Sequence, residues 1–372
     1  MTAALFLLSN LGIGGSERKC VRIANALGRD GLNIHLAYLR APHAPALEAD
    51  THLPMLRLDR KGKFSLLALR QLKRYVVEKQ ITQVACVNLY PLLYAHAVRW
   101  ALGKKAPAVT ALINTTDFST RRAERQMLVY APMLRRTKQL VFGCHLQRDQ
   151  WIARYRLSSE NSRVIYNGVD QNYYSTPAIP QTREELRRLY ALPEGAFVAI
   201  TVGVLRPEKQ HVHFVQSVAA LVSRGFPIHA LIVGDGGQRP IIENCISSLG
   251  IGKHVQLLGQ ISDVRPLLKL SDAFVLTSTS VETFSNAALE AMAMGLPVIL
   301  SRIGGAAEMV EDGRNGFLYP PGEIEALTGY LALLAGDAEL SRKIGEAART
   351  RVQERFLFDE MVEEYRRLLA AS

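Results

Sequence analysis

Residues 280–298 read SVETFSNAALEAMAMGLPV, and this stretch decides both the local fold and the chemistry to look for. Ser285 is of a type favoured at a helix N-cap, where a side-chain oxygen accepts from a backbone N–H that lacks an intrahelical partner. Good helix formers follow it, and Gly295 and Pro297 stop them. A helix over Ser285–Met294 is therefore expected, then a buried strand over Pro297–Ser301. Glu282 falls in the loop ahead of that helix and Glu290 inside it. A helix amino end presents free N–H groups and the positive end of a dipole, which suits a phosphate. A carboxylate beside such a site can accept from sugar hydroxyls, and one further along the helix can reach a ribose.

Outward from this stretch, short apolar runs alternate with amphipathic ones almost from end to end. Towards the amino end, strands are expected over Ala273–Leu276, Val255–Leu258, His229–Val233 and Phe197–Val202, with helices over Arg239–Leu249 and His211–Ser223. Before them come strands at Gln139–Gly143, Ala108–Ile113, Val84–Asn88, Asn33–Leu39 and Ala3–Ser9, interleaved with helical spacing at Leu66–Lys79 and about Ser16 to Gly28. Such β–α alternation points to parallel sheets covered by helices on both faces. The chain has 372 residues, more than one core usually organises, so two doubly wound α/β domains are expected with ligands bound in a cleft between them. Gly168, Pro177 and Pro180 interrupt the rhythm. The expected division is a domain over residues 1–172, a linker over 173–181, a second domain over 182–355, and a terminal helix over 356–372 packing back towards the first domain.

An apolar content of 48% with 21% charged residues is that of an ordinary globular protein. No run approaches the roughly 20 apolar residues of a membrane span, and the first residues lack the basic start of a signal peptide. The four cysteines are scattered without a C-x-x-C pair, which favours buried thiols and a cytoplasmic protein over a disulfide framework or zinc site. Residues 1–180 hold 26 Lys and Arg against 11 Asp and Glu, whereas residues 181–372 hold 19 against 23. The first half is therefore expected to face something anionic, such as a membrane surface, a lipid phosphate or pyrophosphate, or a nucleic acid. Its densest clusters are Arg57, Arg60, Lys61 and Lys63; Arg121, Arg122 and Arg125; and Arg135, Arg136 and Lys138. Basic motifs interleaved with aromatics are missing, so a nucleic-acid partner is not expected.

The 280–298 stretch resembles the E-x(7)-E signature of the family 4 retaining glycosyltransferases, which have the GT-B architecture of two Rossmann-like domains facing a cleft. Other segments extend the resemblance in order along the chain. Gly14-Gly15-Ser16-Glu17 is similar to the family's G-G-x-E turn, Asn167-Gly168-Val169-Asp170 to its N-G-V-D, and Gly203 to Lys209 to its phosphate-binding G-R-L-x-x-x-K. Gly234-Asp235-Gly236, Gly304-Gly305 with Glu308, and the run from Asp312 to Leu318 also fit. The resemblance implies that Lys209 neutralises the donor diphosphate, that Glu282 binds sugar hydroxyls, and that Glu290 holds the ribose. The amides of Phe284, Ser285 and Asn286 would line phosphate and sugar, and Gly14, Gly15, Gly203 and Gly234 would let backbone approach the donor.

Two positions depart from the pattern. Val204 stands where the family has an arginine, and Arg206 is the expected substitute. Asn114 stands near the place of a histidine; an amide donates and accepts hydrogen bonds but does not titrate. In a front-face retaining reaction the leaving phosphate can itself take the acceptor's proton, so activity is compatible with Asn114. Asp117 and His145 are expected on the acceptor side. No D-x-D motif is present, and the reaction is expected to need no metal and no cofactor beyond the nucleotide-diphosphate sugar. The expected reaction moves a hexose-type sugar to a lipid-linked, lipopolysaccharide or polysaccharide acceptor, with peripheral contact at the inner face of the cell membrane through the basic half. A catalytically silent nucleotide-sugar-binding protein and a GT-B epimerase are the alternatives.

Overall fold

A computed structural model gives the fold of residues 3–12, 15–41, 52–62, 64–114 and 121–370. The chain forms two compact units, one of Met1–Tyr166 with Glu360–Ser372, the other of Asn167–Asp359.

In the first unit the strands are β1 (Ala3–Leu8), β2 (Asn33–Tyr38), β3 (Met55–Arg57), β4 (Gln83–Val87), β5 (Ala108–Ile113), β6 (Gln139–Phe142) and β7 (Ser162–Val164). They lie in the order β3-β2-β1-β4-β5-β6-β7 and pair in parallel. All six residues of β1 are buried, as a strand with helices on both faces requires; this is why AALFLL is continuously apolar rather than alternating. Leu5, Leu7, Val84, Val109 and Phe142 share one core with Leu92 and Val98 of the helix Leu89–Leu102.

In the second unit the strands are β8 (Phe197–Val202), β9 (Ile228–Val233), β10 (Val255–Gly259), β11 (Ala273–Leu276), β12 (Val298–Ser301) and β13 (Phe317–Tyr319), in the order β10-β9-β8-β11-β12-β13. These pairings too are parallel. Helix His211–Ser223 buries Phe214, Val215, Val218 and Leu221 against Ala230, Ile232 and Val275.

The division falls after Tyr166, ahead of the expected boundary at 172, because the next residues are stitched into the second unit. Val169 N–H donates to Phe356 O (2.9 Å), and Phe358 N–H donates to Val169 O (3.0 Å). A Cβ on Gly168 would lie 2.4 Å from the Leu357 carbonyl oxygen, so only glycine lets these backbones meet. The segment 173–181, expected as a linker, is also bound along this unit. Lys269 Nζ donates to Thr176 O (3.2 Å) and Ile179 O (2.9 Å), and the Arg265 guanidinium sits 3.6 Å above the Tyr173 ring. The terminal helix is Phe358–Ala370, and from Glu360 on it belongs to the first unit. There Tyr365, Leu368 and Leu369 are buried, Arg366 pairs with Asp30, and Gln83 Nε2 donates to the Leu369 carbonyl.

Candidate active site

Open parallel sheets bind ligands beyond the carboxyl ends of their strands, where the strand order reverses direction. In the second unit β8 comes first in sequence and lies between β9 and β11, so the reversal falls between β8 and β11. The loops leaving these two strands carry Lys209 and Glu282.

After β8 the chain runs through Gly203 into a 3-10 turn over Pro207–Lys209. Gln210, in the left-handed region at φ +46°, then starts helix His211–Ser223. Two bonds pin this turn to the loop after β11: Thr277 Oγ1 donates to Lys209 O (2.7 Å), and Thr279 N–H donates to Glu208 O (2.9 Å). Lys209 Nζ makes an ion pair with Glu282 Oε2, with side chains only 21% and 14% exposed. The Ser278 hydroxyl donates to the same carboxylate oxygen at 3.3 Å. A charge-assisted pair so sheltered from water is held far more firmly than an exposed one.

Two glycines allow the strand ends to close on one another. Gly234 has φ +134°, and a Cβ there would lie 1.9 Å from the Gly203 carbonyl oxygen. Gly304, at φ +52°, would place a Cβ 2.0 Å from Glu282 O. The next residue, Gly305, donates its N–H to Thr283 O (2.6 Å). The loops after β8 and β9 thus meet at Gly203 and Gly234, and those after β11 and β12 at Glu282 and Gly304.

The helix next to that pair runs over Asn286–Ala293 with Ser285 as its N-cap, its hydroxyl accepting from Ala288 N–H at 3.3 Å. Phe284 is buried edge-to-face against Phe356, and its carbonyl accepts from Asn167 Nδ2 at 2.6 Å. Asn167 therefore anchors the approach to the helix; its part in the N-G-V-D segment is to hold the loop. Glu290 is half-buried in the last turn of the helix. Arg206 behaves differently from Lys209: its side chain is 63% exposed, and its ion partner is Glu208 at 3.9 Å. His211, which follows closely, is buried, and burial together with the Lys209 charge pushes its pKa down to about 4. It is therefore neutral at pH 7 and adds no charge to the site.

In the first unit Gly15 begins helix Gly15–Arg29, which leaves the carboxyl end of β1, while Gly14 lies outside the described residues. Asn114 follows β5, and its amide oxygen accepts from Lys19 Nζ at 2.7 Å. Its backbone N–H donates to Asn88 Oδ1 at 3.2 Å, Asn88 being the residue after β4. Lys19, Asn88 and Asn114 thus cluster at the carboxyl ends of β1, β4 and β5, on either side of this sheet's own reversal between β1 and β4. Sequence reasoning passed over Lys19, whose only signal was a cation in the second turn after the glycine turn. Burial lowers its pKa. Asp117 lies outside the described residues. His145 opens helix His145–Tyr155 with its ring edge-on to Tyr166, centroids 5.9 Å apart. Among the described residues, no three His, Cys, Asp or Glu side chains are grouped to hold a metal ion.

Two family models match the chain: "Glycosyltransferase Family 4" over residues 13–173 and "Glycosyl transferases group 1" over residues 182–351. The chain belongs to this glycosyltransferase family. Among curated relatives of this chain, N-acetyl-alpha-D-glucosaminyl L-malate synthase of Bacillus anthracis is 31% identical over 207 residues, 56% of this chain and 53% of that protein. The UDP-Gal:alpha-D-GlcNAc-diphosphoundecaprenol alpha-1,3-galactosyltransferase of Escherichia coli is 32% identical over 182 residues, 48% and 46% of the two chains. The chain spans about half the length of the curated relatives it matches. Its fold is that of Anabaena Alr3699/HepE, solved in complex with UDP (TM-score 0.89, 23% identity, all of both chains covered). It is also that of WaaG, a glycosyltransferase involved in lipopolysaccharide biosynthesis (TM-score 0.78, 17% identity, 99% and 100% covered). The architecture is GT-B, two parallel-sheet α/β domains of seven and six strands.

Proposed function

We propose that this chain is a retaining glycosyltransferase that moves a hexose-type sugar from a nucleotide-diphosphate sugar to a lipid-linked, lipopolysaccharide or polysaccharide acceptor. The observation that carries the reading is the Lys209–Glu282 pair, assembled from the β8 and β11 loops beside the Ser285-capped helix. In this reading the second unit takes the donor. Lys209, joined by Arg206, balances the charge that gathers on the departing diphosphate, as fixed cations do for a developing anion. The N–H groups of Phe284, Ser285 and Asn286 face phosphate and sugar, Glu282 accepts from sugar hydroxyls, and Glu290 accepts from the ribose. Gly14, Gly15, Gly203 and Gly234 give the donor access to backbone. The bond from the sugar's C1 to the diphosphate breaks, the acceptor oxygen bonds to C1 on the same face, and the acceptor's proton passes to the leaving phosphate oxygen. Asn114 orients through hydrogen bonds and moves no proton; Asp117 and His145 serve the acceptor. The proposed step runs on protein charges without a metal or a further cofactor. A relative whose name includes a diphosphoundecaprenol substrate, together with the basic first unit, supports an anionic lipid-linked or glycan acceptor met at the inner face of the cell membrane.

Thermal-shift screening against UDP-, GDP-, ADP- and TDP-sugars tests the donor, with stabilisation expected from one base. With that donor, Lys209→Ala and Glu290→Ala are each expected to cut turnover at least ~100-fold, about 2.7 kcal/mol. Near-normal turnover in both variants would sink the assignment. Val204 and Asn114, at the two departures from the family pattern, favour one second reading, a silent nucleotide-sugar binder. A donor that raises Tm and is never turned over would select it.

A further inference from the structure

We propose that the outer face of helix Leu66–Glu78 docks the protein onto an anionic lipid bilayer. The helix buries Ala68, Leu72 and Val76, one stripe at intervals of four residues, with Leu69 and Tyr75 partly covered beside them. At 100° per residue, Leu66, Leu67, Arg70, Arg74, Val77 and Glu78 fall on the opposite side, with Lys73 at its margin. Apolar residues on that side have no core to explain them: Leu66, Leu67 and Val77 are 64%, 66% and 57% exposed. Arg70, Lys73, Arg74, Val77 and Glu78 line one shallow groove there. Just ahead of the helix, Phe64 is half exposed and stacks on Tyr94, centroids 5.1 Å apart, while the Arg60 guanidinium lies 4.6 Å above Tyr90.

Exposed leucines among long cations are the composition of a helix lying in a bilayer interface, where apolar groups enter the acyl boundary and cations meet lipid phosphates. The charge argues against a second copy as the occupant, since a twofold contact would set Arg70, Lys73 and Arg74 of one copy against those of the other. None of the dense basic clusters in the sequence includes this helix; the exposure of its apolar residues identifies it.

Co-sedimentation of the full chain with phosphatidylcholine vesicles, with and without about 30 mol% phosphatidylglycerol, tests the surface. Binding is expected only with the anionic lipid and should weaken at high salt. At about fivefold per charge, Arg70→Ser with Lys73→Ser should weaken it about 25-fold. Leu66→Ser with Leu67→Ser should weaken it while leaving the salt dependence of what remains. Leu333→Ser, an exposed leucine of the second unit, should bind like the parent. All five positions are exposed, so unchanged thermal melting will show that the variants fold. A parent that stays in the supernatant with anionic vesicles, or serine variants that bind as tightly as the parent, overturn the proposal. So does a concentration-dependent dimer in sedimentation velocity that Leu66→Ser with Leu67→Ser abolishes. The assay uses no sugar donor, so its failure would leave the reading of the donor site untouched.

Discussion

Gly304 shows how closely the loops after β11 and β12 are packed at the level of single atoms. Its φ of +52° suits glycine, and the space a Cβ would need is taken by the Glu282 carbonyl oxygen. Gly304→Ala must displace the backbone that carries Glu282. We expect a loss of stability of about 1–3 kcal/mol together with a fall in kcat/KM. An unchanged Tm and kcat/KM would mean that the loop relaxes at no cost. Residue types in a row announced Glu282, Glu290 and Ser285, because a cap and a helix are local. They did not announce that Lys209 bonds to a carboxylate 73 positions away, or that Lys19 reaches Asn114 across 95 positions. The lysine beside Asn114 is what gives that departure from the family pattern a physical setting. The amide oxygen accepts from the Lys19 amino group, which limits how the side chain can turn.

At the scale of elements, the helix Asn286–Ala293 is short and depends on its neighbours. An isolated helix of this length would not persist in water, and packing has to hold it. Helix Ala338–Arg355 does so at the carboxyl end. Gly345 comes so near that a Cβ on it would lie 2.1 Å from Gly295 O and 3.2 Å from Pro297 Cδ. Gly345→Val should therefore push the two helices apart and lower stability by at least about 2 kcal/mol, read as a drop in Tm. A Tm equal to the parent's would show that the crossing tolerates a larger side chain. The long helices and the continuously apolar strands could be read from pattern alone: Phe197–Val202, Ala273–Leu276 and His211–Ser223 stand where periodicity puts them. The three-residue strands β3, β7 and β13 could not, since so few residues complete no period and only pairing with a neighbour makes them strands. Helix Arg183–Leu189 went unread as well, although Thr182 and Glu185 form a capping box at its start.

On the scale of the whole molecule, the chain's last helix completes the first unit rather than the second. Met361, Val362, Tyr365, Leu368 and Leu369 are all buried. At about 2 kcal/mol for each large apolar side chain, they represent on the order of 10 kcal/mol of burial, comparable with the stability of a domain. A chain ending at Phe358 should keep the second unit folded and lose cooperative melting of the first. Limited proteolysis would then leave a fragment of residues 167–358. Two intact melting transitions in the truncated chain would refute this. Among the described residues no helix is long and apolar enough to cross a membrane.

Sequence alone determined the α/β alternation, the cap at Ser285, the candidate carboxylates and the basic bias of the first half. Each of these follows from hydrogen bonds, periodicity or charge that neighbouring residues settle among themselves. Tertiary structure decided the rest: the division after Tyr166, the joining of Lys209 to Glu282 and of Lys19 to Asn114, and the exposure of Leu66 and Leu67. The reason is that adjacency in a parallel sheet is non-local. Strands that are neighbours in space, such as β1 and β4 or β8 and β11, are separated in sequence by whole βα units, and no local preference records which loops their carboxyl ends will bring together.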